Sequence, residues 1–218
     1  FEEFPKQAAS LMTDGALSRE LIRMRKKIDG FETSCAEAGL SLRDVFATAL
    51  LLQKLFLHQR GEFSWFFGRM QLLYRSGSFL FIHAGVDDSI VQTMTESGVS
   101  SLNRLYRHQL RHNLFEFYYG AVANTLRTKY RPVDMPLNRE AVESAHRLGI
   151  HTVVHGHRNR LHGQRLMLRQ GLLHIEGDIT LDRHSRRKEG LSGIGVGATL
   201  ILPEGKVLGI SNDHPKTR

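Results

Sequence analysis

Two stretches of the chain carry histidine with the residue types and spacing that metal chemistry needs. In one, the apolar run 150–154 leads into His155, a glycine and then His157. In the other, the apolar run 79–82 leads into His83, followed by Ala and Gly. A strand that ends in this way delivers its imidazole to the carboxyl edge of a sheet, where ligands bind in open α/β sheets. Since neutral imidazole is the commonest side-chain ligand for Zn, Fe and Mn, we predict that His83 and His157 meet at a metal ion.

The elements around these two stretches follow from hydrophobic periodicity. Apolar residues spaced three and four apart predict helices through residues 1–77, among them a helix that a capping box at Ser41 and Asp44 begins and another at 64–74. Further helices are predicted at 90–96, 102–112, 114–130 and 139–147. We therefore expect residues 1–78 to form a helical cap or outer layer, and residues 79–218 to hold the sheet.

The pattern changes to alternation after His157. Residues 164–169 and 172–175 flank a Gln-Gly turn, and residues 195–202 and 206–210 flank Pro-Glu-Gly, so two hairpins are predicted. Residues 183–188 are charged and predict a loop between the hairpins. The predicted fold class is α/β (α+β), with a helical N-terminal third and a C-terminal β meander.

Composition limits the classes of function. The 218 residues carry a formal net charge of +8, which favours anionic partners such as phosphorylated substrates or nucleic acid. No apolar run approaches the ~18–20 residues that a membrane span needs. A single cysteine, Cys35, suits a reducing compartment, so we expect a cytoplasmic protein. The chain begins at Phe1 rather than Met, which predicts a fragment or a processed chain.

The sequences around the two histidines resemble motifs of a known family. The sequence Phe-Ile-His-Ala-Gly at 81–85 resembles the fourth motif of the calcineurin-like metallophosphoesterases, in particular of their phosphoprotein-phosphatase branch. Val-His-Gly-His at 154–157 is similar to the fifth motif, and Gly163 stands where that branch has a glycine. The resemblance covers roughly residues 79–211, and the order of the motifs also matches.

This resemblance implies a metal-dependent phosphoesterase with a β-sandwich flanked by helices. It implies two divalent metal ions, Mn in the first place and Fe or Zn as alternatives, which activate a water molecule for attack on phosphorus. Carried over by motif, His83 and His157 would bind the same ion, whereas His155 would face substrate or support a ligand. Arg158 adjoins His157, and its guanidinium suits phosphate, so we expect it to bind substrate.

The family's first three motifs, Asp-x-His, Gly-Asp-x-x-Asp and Gly-Asn-His-Glu, do not occur before His83. They supply most of the ligands and the general acid in that family, so the catalytic residues of this chain stay unknown. The simplest explanation is that the chain begins just after the third motif, with the units that carry these motifs upstream of Phe1 or carried elsewhere. Asn159 stands where many relatives have a further histidine ligand, which points to the phosphoprotein-phosphatase branch.

Three functions remain open at this stage. The first is hydrolysis of a phosphomonoester, on a phosphoprotein or a small molecule, or of a nucleotide polyphosphate. The second is a catalytically degenerate phosphatase fold that acts as a scaffold. The third is a basic nucleic-acid-binding module. The arginines and histidines at 102–112 support it, although no basic–aromatic recognition motif accompanies them.

Overall fold

A computed structural model describes residues 2–159 and 163–213 and divides them into two compact units. One unit holds the described residues up to Met70 together with Leu105–Gly120. The other holds Gln71–Arg104 and the described residues from Ala121 onward, and it contains every described strand. The predicted domain organisation, with a boundary near residue 78, stays a prediction.

The first unit is helical. Its helices are α1 (Phe4–Ala8), α2 (Asp14–Glu37), α3 (Leu42–Phe56), α4 (Ser64–Arg69), the later part of α6 (Val99–His112) and α7 (Leu114–Tyr119). The predicted capping box begins α3: the Asp44 amide donates to the Ser41 hydroxyl over 3.2 Å, and the Asp44 carboxylate accepts from the Ser41 amide over 3.1 Å. The ring of Phe4 packs edge-on against Phe115 and Tyr119, which joins α1 to α7.

The second unit is built on a five-stranded mixed sheet. Its strands are β1 (Leu73–Ser76), β2 (Phe79–Ile82), β3 (Thr152–His155), β4 (Arg165–Arg169) and β5 (Leu172–Glu176), in the spatial order β1-β2-β3-β5-β4. The three central strands β2, β3 and β5 run parallel, and the two edge strands run antiparallel to their neighbours. Side chains of β2, β3 and β5 such as Leu80, Val153 and Ile175 are at most 1% exposed and form the core.

Besides the first part of α6, four helices and a hairpin complete the described part of this unit. They are α5 (Asp88–Ser97), α8 (Ala121–Arg127), α9 (Arg139–Arg147), α10 (Arg183–Lys188) and the antiparallel pair β6 (Gly197–Ile201) and β7 (Val207–Ser211). The predicted α/β class and both predicted hairpins are confirmed. Among the described helices of the chain, none combines the length and apolarity that crossing a bilayer requires.

Three local predictions were wrong. Residues 183–188 are helical rather than a loop, because the Asp182 carboxylate accepts from the Ser185 amide over 2.8 Å and caps α10. The helix predicted at 114–130 is two helices, which Gly120 separates. The helix predicted at 64–74 ends at Arg69, and the residues after it enter β1 because they pair with β2.

One buried side chain of the second unit fixes the start of β1. The side-chain oxygen of Asn103, on α6, accepts from the amides of Leu72 and Leu73 over 2.7 and 3.2 Å. Its amide group donates to the Leu73 carbonyl over 2.9 Å. Backbone groups beside a strand must find partners when they are buried, and Asn103 supplies three hydrogen bonds at once.

Replacing Asn103 with Ala is expected to lower the free energy of unfolding by roughly 2–3 kcal/mol, because buried backbone groups lose their partners. Urea-induced unfolding, followed by circular dichroism, measures this change. Ser100→Ala, at an exposed site on the same helix, is the control; an equal loss there would contradict this account of Asn103.

Candidate functional site

The carboxyl ends of the three parallel strands meet at one edge of the sheet. β2 leads to His83, β3 leads to Gly156 and His157, and β5 leads to Gly177 and Asp178. The ladder continues past the strand ends, since the Gly156 amide donates to the His83 carbonyl over 2.9 Å. In the same way the Gly177 amide donates to the His155 carbonyl over 2.8 Å. The register of the sheet therefore sets the relative position of the residues at this edge.

The two imidazoles singled out from the sequence lie together. The Nε2 atom of His83 is 3.1 Å from the Nδ1 atom of His157, and the ring centroids are 5.0 Å apart. A single ion about 2.1 Å from each nitrogen can reach both atoms at this separation, so the pair fits two ligands of one metal. The contact is a fact of the geometry, whereas metal binding by the pair stays a prediction.

The described residues do not supply a complete metal centre. Within 2–159 and 163–213, no three side chains of His, Cys, Asp or Glu are grouped so that they could hold one ion.

The environment of His157 favours its neutral form, which is the form that binds a metal. Burial lowers the pKa of His157 below its usual value, and the charges of His83 and Lys129 lower it further. Asp178 and the backbone of Arg127 oppose this shift. The Nε2 atom of His157 is buried and receives no hydrogen bond of normal geometry from the described residues.

The backbone at this edge leaves little freedom. His157 has φ 72°, in the left-handed region that residues other than glycine seldom adopt. At Gly156 a Cβ atom would come within 2.6 Å of the Asp178 carboxylate, so a larger residue there would displace that side chain. Asp178 thus lies against the loop that carries His157.

Arg158 and His155 were predicted to bind substrate, and the two residues differ from each other in their surroundings. Arg158 is partly exposed, and its guanidinium donates to the Lys129 carbonyl over 3.4 Å, beside the lysine whose charge acts on His157. His155 is 5% exposed, and its Nε2 atom lies 3.2 Å from the Nδ1 atom of His174. Of the two roles foreseen for His155, support beneath the site fits this burial better than contact with substrate.

His174 was not found by sequence reasoning. It lies within the apolar run of β5 and is fully buried. Its ring packs edge-on against His155 and against Tyr130, with centroid distances of 5.3 Å in both cases. A lone histidine in a strand carries no signal of its partner, because only the pairing of β3 with β5 brings it to His155.

Comparison with solved structures identifies a similar fold. The chain aligns with the cold-active protein-tyrosine phosphatase of a psychrophilic Shewanella species at a TM-score of 0.51 and 16% sequence identity, over 82% of this chain and 52% of that one. A point mutant of a cold-active protein tyrosine phosphatase aligns at a TM-score of 0.51 and 12% identity, over the same shares. This chain therefore spans about half the length of the solved structures that it matches. At these identities the likeness is one of fold.

Sequence comparison adds no relative. Neither a protein-family profile nor the sequence of a curated protein matches the chain.

The buried His155–His174 pair predicts a dependence of stability on pH. Burial lowers the pKa of His174 to about 3, and the charges of His155 and Arg169 contribute. The unfolded chain binds a proton at this side chain below pH ~6.5, whereas the folded protein does not until pH about 3, so stability falls as the pH drops through that window. The slope from this one group approaches ~1.4 kcal/mol per pH unit.

The variant His174→Asn is expected to lose this component, so that its unfolding free energy varies less between pH 6 and pH 4 than that of the wild type. Urea unfolding at several pH values measures the slope. His184→Asn, at an exposed position on α10, should keep the wild-type slope. Parallel pH profiles for the wild type and His174→Asn would show that His174 does not titrate in this way.

Proposed function

We propose that this chain is part of a metal-dependent phosphoesterase that hydrolyses a phosphomonoester. The observation that carries the proposal is the contact between His83 and His157, 3.1 Å between ring nitrogens, at the carboxyl edge of three parallel strands. The similarity of fold to solved phosphatases over 82% of the chain supports phosphatase-like hydrolysis in general. The resemblance of residues 79–85 and 154–157 to metallophosphoesterase motifs supports the proposal independently. The same resemblance also implies a second β-sheet that would complete a β-sandwich.

In this proposal His83 and His157 bind one divalent ion as neutral imidazoles, with Mn as the first choice and Fe or Zn as alternatives. When bound, a pair of such ions supplies positive charge that orients phosphate and lowers the pKa of water at neutral pH. The remaining ligands and the general acid would come from segments other than those described, since the described residues hold no third ligand beside the pair.

The protein's own residues would hold the substrate through positive charge. Arg158 directly follows His157, and Lys129 lies close enough to His157 to lower its pKa. The Arg158 guanidinium donates to the Lys129 carbonyl, and this hydrogen bond joins the loop after β3 to the segment after α8. A guanidinium fixed in this way can donate two hydrogen bonds to a phosphate group, which is how arginine recognises phosphate best.

A phosphorylated protein is the substrate class that we favour. The solved structures of similar fold are named protein-tyrosine phosphatases, and the resemblance points to the phosphoprotein-phosphatase branch, whose members include serine/threonine phosphatases. A small phosphomonoester or a nucleotide polyphosphate would use the same cationic groups. Hydrolysis of a phosphotyrosine peptide, a phosphoserine peptide and diadenosine tetraphosphate, measured side by side, separates these substrates.

Removing either imidazole is expected to abolish metal-dependent turnover. In the intact protein that carries this chain, His83→Ala and His157→Ala should each lower kcat for p-nitrophenyl phosphate with Mn²⁺ by roughly a hundredfold or more. Each variant should also lose bound metal, measured by elemental analysis. His184→Ala, an exposed histidine of the same unit, should behave as wild type.

Two results would contradict the proposal. Wild-type protein without Mn²⁺-dependent hydrolysis of any of these substrates would favour a catalytically degenerate scaffold. Variants that keep both the metal and the rate would show that the imidazole pair is not the metal site. Binding to nucleic acid without hydrolysis would instead support the basic module.

Arg158→Ala is expected to raise KM for p-nitrophenyl phosphate by roughly tenfold and to change kcat less, because a charge-assisted hydrogen bond to phosphate is lost. Steady-state kinetics at saturating Mn²⁺ measures both constants. Arg187→Ala, at an exposed position on α10, serves as the control for the loss of one positive charge. Unchanged kinetics in Arg158→Ala would remove this residue from the substrate site.

A further inference from the structure

Tyr130 lies between the two turns that carry the imidazole pair. It belongs to the segment between α8 and α9, and its side chain is mostly buried in the second unit. Sequence reasoning placed this residue at the end of a helix. The structure instead gives it φ 54°, in the left-handed region, which turns its side chain away from the path of a helix.

The hydroxyl end of Tyr130 contacts the turn after β2. Its oxygen accepts a hydrogen bond from the Val86 amide over 3.0 Å. The same hydroxyl occupies the space where a Cβ atom of residue 85 would lie, so Gly85 is required on steric grounds as well as by its φ of 153°. This turn begins at His83, three residues before Val86, and so the hydroxyl fixes the turn that carries the first imidazole.

The ring of Tyr130 contacts the other side of the site. Its centroid lies 6.1 Å from the ring of His155, which is two residues before His157, and 5.3 Å from the ring of His174. The guanidinium of Arg169 lies over the ring, 4.3 Å from its centroid, in a cation–π contact. The aromatic body thus packs under the end of β3, from which His157 extends.

The conformation of Tyr130 is held by its own segment. The Asp134 carboxylate accepts from the backbone amides of Lys129 and Arg131 over 2.8 and 3.0 Å, and from the Arg131 guanidinium over 2.8 Å. The Tyr130 amide donates to the Thr128 hydroxyl over 3.3 Å. A residue other than glycine costs free energy in the left-handed conformation, and it keeps that conformation only where its surroundings hold it. These hydrogen bonds hold Tyr130 in this way.

We propose that Tyr130 is a positioning residue that sets the separation of His83 and His157 by joining the two turns that carry them. The part of this inference that concerns metal binding rests on the proposed function; the part that concerns the distance between the imidazoles does not. Tyr130 touches neither imidazole of the pair in the contacts described above, and it acts through Val86 and His155.

The test uses Tyr130→Phe, which keeps the ring and removes the hydroxyl, and Asp134→Ala, which releases the segment and leaves Tyr130 intact. Without any metal, ¹⁵N chemical shifts of the ring nitrogens of His83 and His157 report their contact, because a nitrogen that takes part in it differs from one exposed to water. Both variants are expected to shift these signals toward values of free imidazole. A purely structural role of Tyr130 would change the melting temperature and leave the signals in place.

The second readout is Co²⁺, whose visible absorption reports binding to imidazole. Co²⁺ affinity is expected to fall by roughly tenfold or more in both variants, the size of effect that groups supporting metal ligands have. Tyr119→Phe is the matched control, since its hydroxyl donates to Glu20 over 3.3 Å in the other unit. It should keep wild-type shifts and affinity.

The outcomes separate the two proposals. If the wild type takes up no Co²⁺, the proposed function fails, while the ¹⁵N signals still decide the role of Tyr130. If the wild type binds Co²⁺ and both variants keep its affinity and its ¹⁵N shifts, the inference about Tyr130 is wrong and the proposed function stands. A folded Asp134→Ala variant with shifted signals supports the inference even where Tyr130→Phe unfolds.

Discussion

The site depends on one backbone hydrogen bond, from the Gly156 amide to the His83 carbonyl, 2.9 Å long. It extends the parallel ladder of β2 and β3 beyond the last paired residues, Phe81 and Val154. Because parallel strands present their carboxyl ends at the same edge, this bond brings the residues after both strands to one place. A shift of the ladder by one residue would turn the side chains of one strand to the opposite face and separate the two imidazoles.

The interior beneath that edge holds a second pair of imidazoles under different conditions. His83 is exposed and His157 partly so, whereas His155 and His174 are buried among Tyr130 and the charged side chains of β4 and β5. Glu176 is 1% exposed and its carboxylate pairs with the Arg165 guanidinium over 2.6 Å, so the charge there is compensated. Buried polar groups of this kind are stable where they are paired, and they give the end of the sheet a defined arrangement.

The positions of the strand ends and of the hairpins could be predicted because the sequence repeats a simple pattern. An apolar run followed by histidine and small residues marked both strand ends, and alternation marked both hairpins correctly. Helical periodicity was misleading where strand pairing decides the structure: the helix predicted from the sequence ran to residue 74, whereas pairing with β2 makes Leu73–Ser76 a strand. His174, Tyr130 and Asp178 went unrecognised for a related reason. Each acts through a neighbour that is distant along the chain, and a single residue type carries no record of such a neighbour.

The left-handed backbone at His157 limits which donor residues could replace this histidine in the proposed metal site. A side chain at φ 72° must tolerate crowding between its Cβ and the backbone, which Asn, Asp and His do better than other residues with donor atoms. Those three offer nitrogen or oxygen, the harder donors. A thiolate at this position would combine an unfavourable conformation with its soft sulfur, so in the proposed metal site the local chain geometry would disfavour a thiophilic ion such as copper(I).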